Sequence, residues 1–217
     1  MSDRTLLRTP HFSLTWTWWP TEAVGSRAAQ FEVAARLADI TVRHGLLRPE
    51  RVRCQWCVGR RIVPGVLTTI PLDRRLDDPA VARALTEARP PGLDPDATIC
   101  DLVLTGPGTW LDENGIPHAE DEILLLDIDL ARPDPVVTAE VFHDIWMPHD
   151  FRGVPHPNIY RHNAPRLAAT LTEIAETLRT PTDPGDPSRY GTPRTDGLAN
   201  ALDDTGRPAD VLPDDPR

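Results

Sequence analysis

Three groups of residues have types and spacings that could do chemistry. The first is Ile123-Leu124-Leu125-Leu126-Asp127-Ile128-Asp129. In an extended chain, alternation sends both carboxylates to one face and Leu124, Leu126, Ile128 and Leu130 to the other. On the strand expected next, Thr138, Glu140, Phe142 and Asp144 share a face by the same rule. If the two strands pair, Asp127, Asp129 and Glu140, with Asp144 further along, form an acidic patch on the solvated side of a sheet. Such a patch suits docking of a basic partner, because complementary fields steer and select. A bound divalent cation would use the same oxygen donors. The second group is His143-Asp144-Ile145-Trp146-Met147-Pro148-His149-Asp150, followed by His156 and His162. Imidazoles beside carboxylates are what a metal centre or general acid–base chemistry uses. A metal-assisted enzyme would draw on His143, Asp144 and His149. The third is Cys54-Gln55-Trp56-Cys57, the spacing of a zinc half-site or redox pair.

Each group also has a plainer reading. The histidine stretch contains no His-x-His and no HExxH. Pro148, Pro155 and Pro157 make it a stiff loop packed by Trp146, Phe151, Ile159 and Tyr160, with the histidines as hydrogen-bonding struts. Cys54 and Cys57 differ by an odd number, so on a strand they point to opposite faces, and no second cysteine pair completes a zinc site. A hydrophobic strand ending in Asp-x-Asp resembles haloacid-dehalogenase-like phosphatases and nucleotide-sugar glycosyltransferases. The phosphatase pattern expects a hydroxyl or valine where Ala131 stands, and a later lysine. The glycosyltransferase fold needs a nucleotide-binding half, for which the residues before Ile123 leave little room. The four serines, Ser2, Ser13, Ser26 and Ser188, stand in no nucleophile elbow. Gly106-Pro107-Gly108 lacks the spacing of a dinucleotide loop.

The elements that must position these residues are legible from periodicity. Residues 11–18 alternate, with Phe12, Leu14, Trp16 and Trp18 on one face, as a strand does. Val24, Ala28, Phe31, Ala35, Ala38 and Val42 then step by three and four, a helical stripe ended by Gly45. Strands are expected at 51–58 and 61–70, the second broken at Pro64-Gly65 as befits an edge or a bulge. Asp78-Pro79 starts a short helix with Val81, Ala82 and Leu85 inward. Strands at 99–104, 123–130 and 135–145 follow as an antiparallel meander, with a turn at Glu113-Asn114-Gly115. Asn163-Ala164-Pro165 reads as the cap of a helix carrying Leu167, Leu171, Ile174 and Leu178. Trp16, Trp18, Trp56 and Trp146 are expected inward.

Composition narrows the classes. The 217 residues carry 33 acids and 23 bases, a net charge of −10, and every base is arginine. Without lysine, P-loop phosphate binding, Schiff-base chemistry and kinase-type nucleotide anchoring are excluded for this chain. A pI near 5.1 argues against a non-specific nucleic-acid binder. No apolar run approaches the roughly 18–20 residues that cross a bilayer, and no basic-then-apolar leader opens the sequence, so a cytoplasmic location away from membranes is expected. Three cysteines make no disulfide framework. Residues 1–180 are expected to form one α+β domain, an antiparallel sheet of about five or six strands with helices mainly on one face. From 181 to 217, eight Asp against four Arg and few apolar residues suggest a loosely ordered acidic tail, which Tyr190, Leu198 and Val211 could pin.

Asp144-Ile145-Trp146-Met147-Pro148-His149-Asp150, the link Asn158-Ile159-Tyr160, Asn163-Ala164-Pro165-Arg166-Leu167-Ala168-Ala169 and the Gly- and Pro-rich acidic end resemble small actinobacterial proteins of immunity type. These are cytoplasmic antidotes encoded beside polymorphic toxins. The resemblance implies a non-enzymatic protein without a cofactor that binds and masks a protein partner, and it carries over no catalytic residue. The expectation is therefore a sequestering protein acting through Asp127, Asp129, Glu140 and Asp144 on a basic partner. The alternative is the metal-assisted enzyme at 143–162.

Overall fold

A computed structural model describes residues 6–9, 13–21, 25–59 and 61–212. Phe12 and Val24, expected on the first strand and helix, lie outside them. The fold is α+β. Strand β1 is Leu14–Trp18, helix α1 Arg27–Arg43, β2 Arg51–Val58, β3 Arg61–Pro71 and α2 Pro79–Glu87. Strands β4 (Ala97–Thr105), β5 (Pro107–Leu111), β6 (Pro117–Asp121), β7 (Leu125–Asp129) and β8 (Val136–Val141) follow. A 3-10 turn at Asp144–Trp146 leads to α3 (Pro157–Leu178), β9 (Asp183–Pro184), β10 (Thr192–Arg194) and β11 (Gly197–Ala199).

Seven strands form one sheet in the order β3-β2-β4-β7-β8-β1-β9, with every pairing antiparallel. The sheet is larger than expected because residues 183–184 add a seventh strand beside β1. Its inner face carries Trp16, Trp18, Val52, Trp56, Leu102, Leu126, Ile128 and Val137, all buried in one core with Leu37, Ile40, Leu167 and Leu171 of the helices. The expected alternation on β7 holds: Leu126 and Ile128 are buried inward while Asp127 and Asp129 lie on the other face. Pro64-Gly65 falls where the β2–β3 register shifts, between the Gln55↔Leu67 and Cys57↔Ile62 pairs, and β3 is an edge strand.

Several boundaries differ from the sequence reading. Phe31, Ala35 and Ala38 of the expected stripe on α1 are buried, but the buried face is wider and takes in Ala34, Leu37, Ile40 and Thr41, while Ala28 and Val42 at the ends of the stripe are exposed. Its caps are nevertheless local: the Ser26 side chain accepts from the Ala29 N–H, and Gly45 takes φ +67° after the last turn. The Glu113-Asn114-Gly115 turn does not belong to the meander. It closes β5 and β6 into a separate hairpin, with Gly115 at φ +76° and the Asp112 carboxylate accepting from the Asn114 and Ile116 N–H groups. Gly106 and Gly108 serve close approach: a Cβ there would sit 2.0 Å from the Arg48 carbonyl oxygen and 2.2 Å from that of Leu46.

Helix α3 begins at Pro157, six residues before the expected cap. Asn163 is therefore a buried helical residue. Its amide accepts from the Leu111 N–H at 2.9 Å and donates to the Leu111 carbonyl at 2.7 Å, so it grips the end of β5 as a neighbouring strand would. One turn on, the Arg166 guanidinium donates to the carbonyls of His44 (2.8 Å), Gly45 (3.1 Å) and Thr109 (2.7 Å). A cation there faces the negative end of α1 and ties three elements together.

Residues 181–212, expected as a loose tail, pack on the body. The reason is the tryptophans of β1. Trp16 and Trp18 are fully buried, and their indole N–H groups donate to the Arg194 carbonyl (2.6 Å) and the Thr182 hydroxyl (3.2 Å). Tyr190, Leu198 and Val211 are buried in the core.

Candidate functional site

All three α-helices belong to the side of the core, and the opposite face of the sheet carries the polar residues of alternate positions. Near its middle lies a cleft of about 460 Å³ lined by Gln55 of β2, Asp101 of β4, Asp127 and Asp129 of β7 and Thr138 of β8, with Ile62, Cys100 and Arg132 at its walls. The register explains the assembly. Asp101 is the direct cross-strand partner of Asp129, and Val103, two residues along, is that of Asp127. On the other side Asp127 is opposite Thr138, which pairs in turn with Thr17. Three carboxylates thus converge from two neighbouring strands.

Their electrostatics are unusual for a surface. Burial, then a hydrogen bond to Asp101, then the charges of Asp101 and Asp129 push the Asp127 carboxyl up to about 8, with Arg53 opposing. Asp127 therefore keeps its proton at pH 7 beside the Asp101 carboxyl, whose Oδ1 is shielded from water and has no hydrogen-bond partner among the described residues. Asp129 is held differently: its Oδ1 accepts from the Ala131 N–H at 2.8 Å, which fixes the turn after β7. Glu140 shares this face of the sheet, opposite Leu125 and Thr15, outside the cleft lining.

Asp144 requires a correction. β8 ends at Val141, and Asp144 lies in the 3-10 turn with 0% exposure. It cannot contribute to a docking face, because the chain leaves the extended conformation before alternation reaches it. The alternative set is not assembled either. Among the described residues no group of three or more His, Cys, Asp or Glu side chains is placed to hold a metal ion, and His143, Asp144 and His149 are no exception. His143 is buried at 2% exposure, and desolvation, aided by the Arg8 charge, pushes it down to about 4, so it is neutral at pH 7. His149 exchanges two backbone hydrogen bonds with the Asn200 amide, and His156 binds the Met147 carbonyl through Nε2 at 2.5 Å. The His156 imidazole is thus a strut, whereas His149 is held through its backbone and the buried His143 Nδ1 has no partner among the described residues.

Cys54 is in the helix-side core and Cys57 is buried outside it, as the odd spacing requires. The cleft residue that sequence reasoning missed is Asp101. Its signal was a charged residue inside the apolar run Ile99-Cys100-Asp101-Leu102-Val103-Leu104, which only strand order could relate to Asp127.

The fold and cleft define an α+β protein with a seven-stranded antiparallel sheet, helices on one face and a carboxylate cluster on the other. No family model, curated protein or solved structure matches the chain. Among the described residues no helix is long and apolar enough to cross a membrane.

Proposed function

We propose that this chain is a non-enzymatic binding protein of the cytoplasm that sequesters or inhibits a basic protein partner, in the manner of an immunity protein, through the acidic face of its sheet. The observation that carries this reading is the convergence of Asp101, Asp127 and Asp129 on the face opposite the helices, with Glu140 beside them. Arg53 opposes the crowding of these carboxylates without bringing Asp127 back into the usual carboxylate range. An arginine or lysine side chain from a partner would supply the missing charge and donate hydrogen bonds to carboxylates on both strands. A net charge of −10 would draw such a partner in and keep nucleic acid away.

The test is affinity capture with tagged protein in extract of its host, followed by measured binding of the captured partner. Wild type should hold a basic protein stoichiometrically. The Asp127→Ala/Asp129→Ala protein should bind it at least about tenfold more weakly, a loss of about 1.4 kcal/mol, with its circular dichroism unchanged. Equal affinity for the two proteins would refute the role of this face.

A further inference from the structure

We propose that Cys57 and Cys100 are a peroxide-oxidisable pair that closes to an intramolecular disulfide joining β2 to β4 beneath the acidic cleft. The Cys-x-x-Cys spacing is not what makes this pair, since Cys54 lies in the helix-side core and Cys57 does not. The pairing of β2 with β4 makes it. Gln55 is opposite Asp101 and Trp56 opposite Ile99, so Cys100 is the extra residue of a bulge with no residue across from it. A bulge bends its strand and re-aims a side chain. Here it turns the Cys100 thiol to the side of the sheet that carries Cys57, whose own cross-strand partner is Thr98, and near enough for Cys57 to push Cys100 up.

The other contacts of both sulfurs are long: Cys100 Sγ lies 3.7 Å from the Gln55 carbonyl oxygen, and Cys57 Sγ 3.4 Å from that of Gly59 and 3.8 Å from the Thr98 hydroxyl. Neither side chain belongs to the helix-side core, although they are only 3% and 2% exposed. Cys100 lines the cleft, which gives an oxidant the size of water a route to one member of the pair. Burial and the nearby Cys57, Asp101 and Asp129 hold the Cys100 thiol protonated, which makes the reaction slow.

The chemistry balances with a hydroperoxide as oxidant. The Cys100 sulfur attacks one oxygen of hydrogen peroxide, the O–O bond breaks, and the second oxygen leaves as water with the thiol proton. Cys57 then attacks the sulfenic sulfur, the S–S bond forms, and the hydroxyl leaves as a second water with the Cys57 proton. Two thiols are oxidised by two electrons and one peroxide is reduced to two waters.

The experiment treats the folded full-length chain with hydrogen peroxide, unfolds it in the presence of an alkylating reagent and maps the peptides without reduction. The number of alkylated thiols should fall from three to one, with Cys54 the survivor and Cys57 joined to Cys100. The Cys54→Ala protein should retain the crosslink, and chain unfolded in guanidinium before peroxide treatment should lose the preference for this pair. Three alkylatable thiols, a bond that involves Cys54 or a second chain, or Cys100 taken to sulfinic acid beside an unreacted Cys57 would each overturn the proposal.

Discussion

Replacing Asp127 by Asn should make the protein more stable at neutral and alkaline pH while leaving its acid-side stability nearly unchanged. The folded-state carboxyl is pushed up to about 8 from an ordinary value of 3.8, first by burial and then by Asp101. A carboxyl that binds its proton more tightly in the folded state contributes most at low pH, and the contribution is lost as pH rises through the folded value. Between pH 4 and pH 7 the loss spans roughly three pH units at about 1.36 kcal/mol each, or about 4 kcal/mol. Asparagine keeps the size and the donor toward Asp101 but has no proton to lose. The assay is urea unfolding of wild type and Asp127→Asn at intervals from pH 4 to pH 8.5. The difference between the two proteins should grow steadily in favour of the variant and level off near pH 8. Titrating groups away from the cleft are common to both proteins and cancel in that difference. Parallel stability curves, with a difference constant to within about 1 kcal/mol, would refute the assignment of the proton. A stabilising substitution at this position would also mark Asp127 as a residue kept at a cost in stability, as binding sites often are.

Three further outcomes follow from the packing. His143, pushed down to about 4 by burial, must charge when the chain unfolds in acid, so wild type should lose up to about 3 kcal/mol between pH 6.5 and pH 4; His143→Gln should flatten that limb of the urea-unfolding profile. Arg166→Lys should lower stability by about 2–3 kcal/mol in urea unfolding, because one ammonium cannot reach the His44, Gly45 and Thr109 carbonyls together. Ending the chain after Thr180 leaves the indole N–H groups of Trp16 and Trp18 without their acceptors and removes Tyr190, Leu198 and Val211 from the core. At about 1–3 kcal/mol for each orphaned N–H and about 1.5–3 for each apolar side chain, the loss rivals a whole domain's stability. The near-ultraviolet dichroism of the shortened chain should collapse, and a cooperative transition like that of the full chain would contradict this account.

What the sequence alone determined is whatever depends on neighbours a few positions apart. Alternation placed Asp127 and Asp129 opposite Leu126 and Ile128, because side-chain direction in a strand has period two whatever the strand pairs with. Asp78 with Pro79 started α2, and Val81 and Leu85 went inward as expected, because an N-cap is a bond between residues two or three apart. Pro64-Gly65 marked the irregular edge strand for the same local reason. The tertiary structure alone decided matters that need a partner distant in the chain. Asp101 joins the cleft only because β4 and β7 are neighbours in that register, and the proton on Asp127 follows from that meeting. Asn163 resembles a cap in sequence, yet the free N–H and C=O of Leu111 and a packed helical turn upstream hold it inside α3. Residues 181–212 have the composition of a solvated tail, but two buried indoles on β1 need acceptors, and burying Tyr190, Leu198 and Val211 offsets the entropy of ordering the segment. Local pattern sets which way a side chain points; strand order and burial set which other groups it meets there.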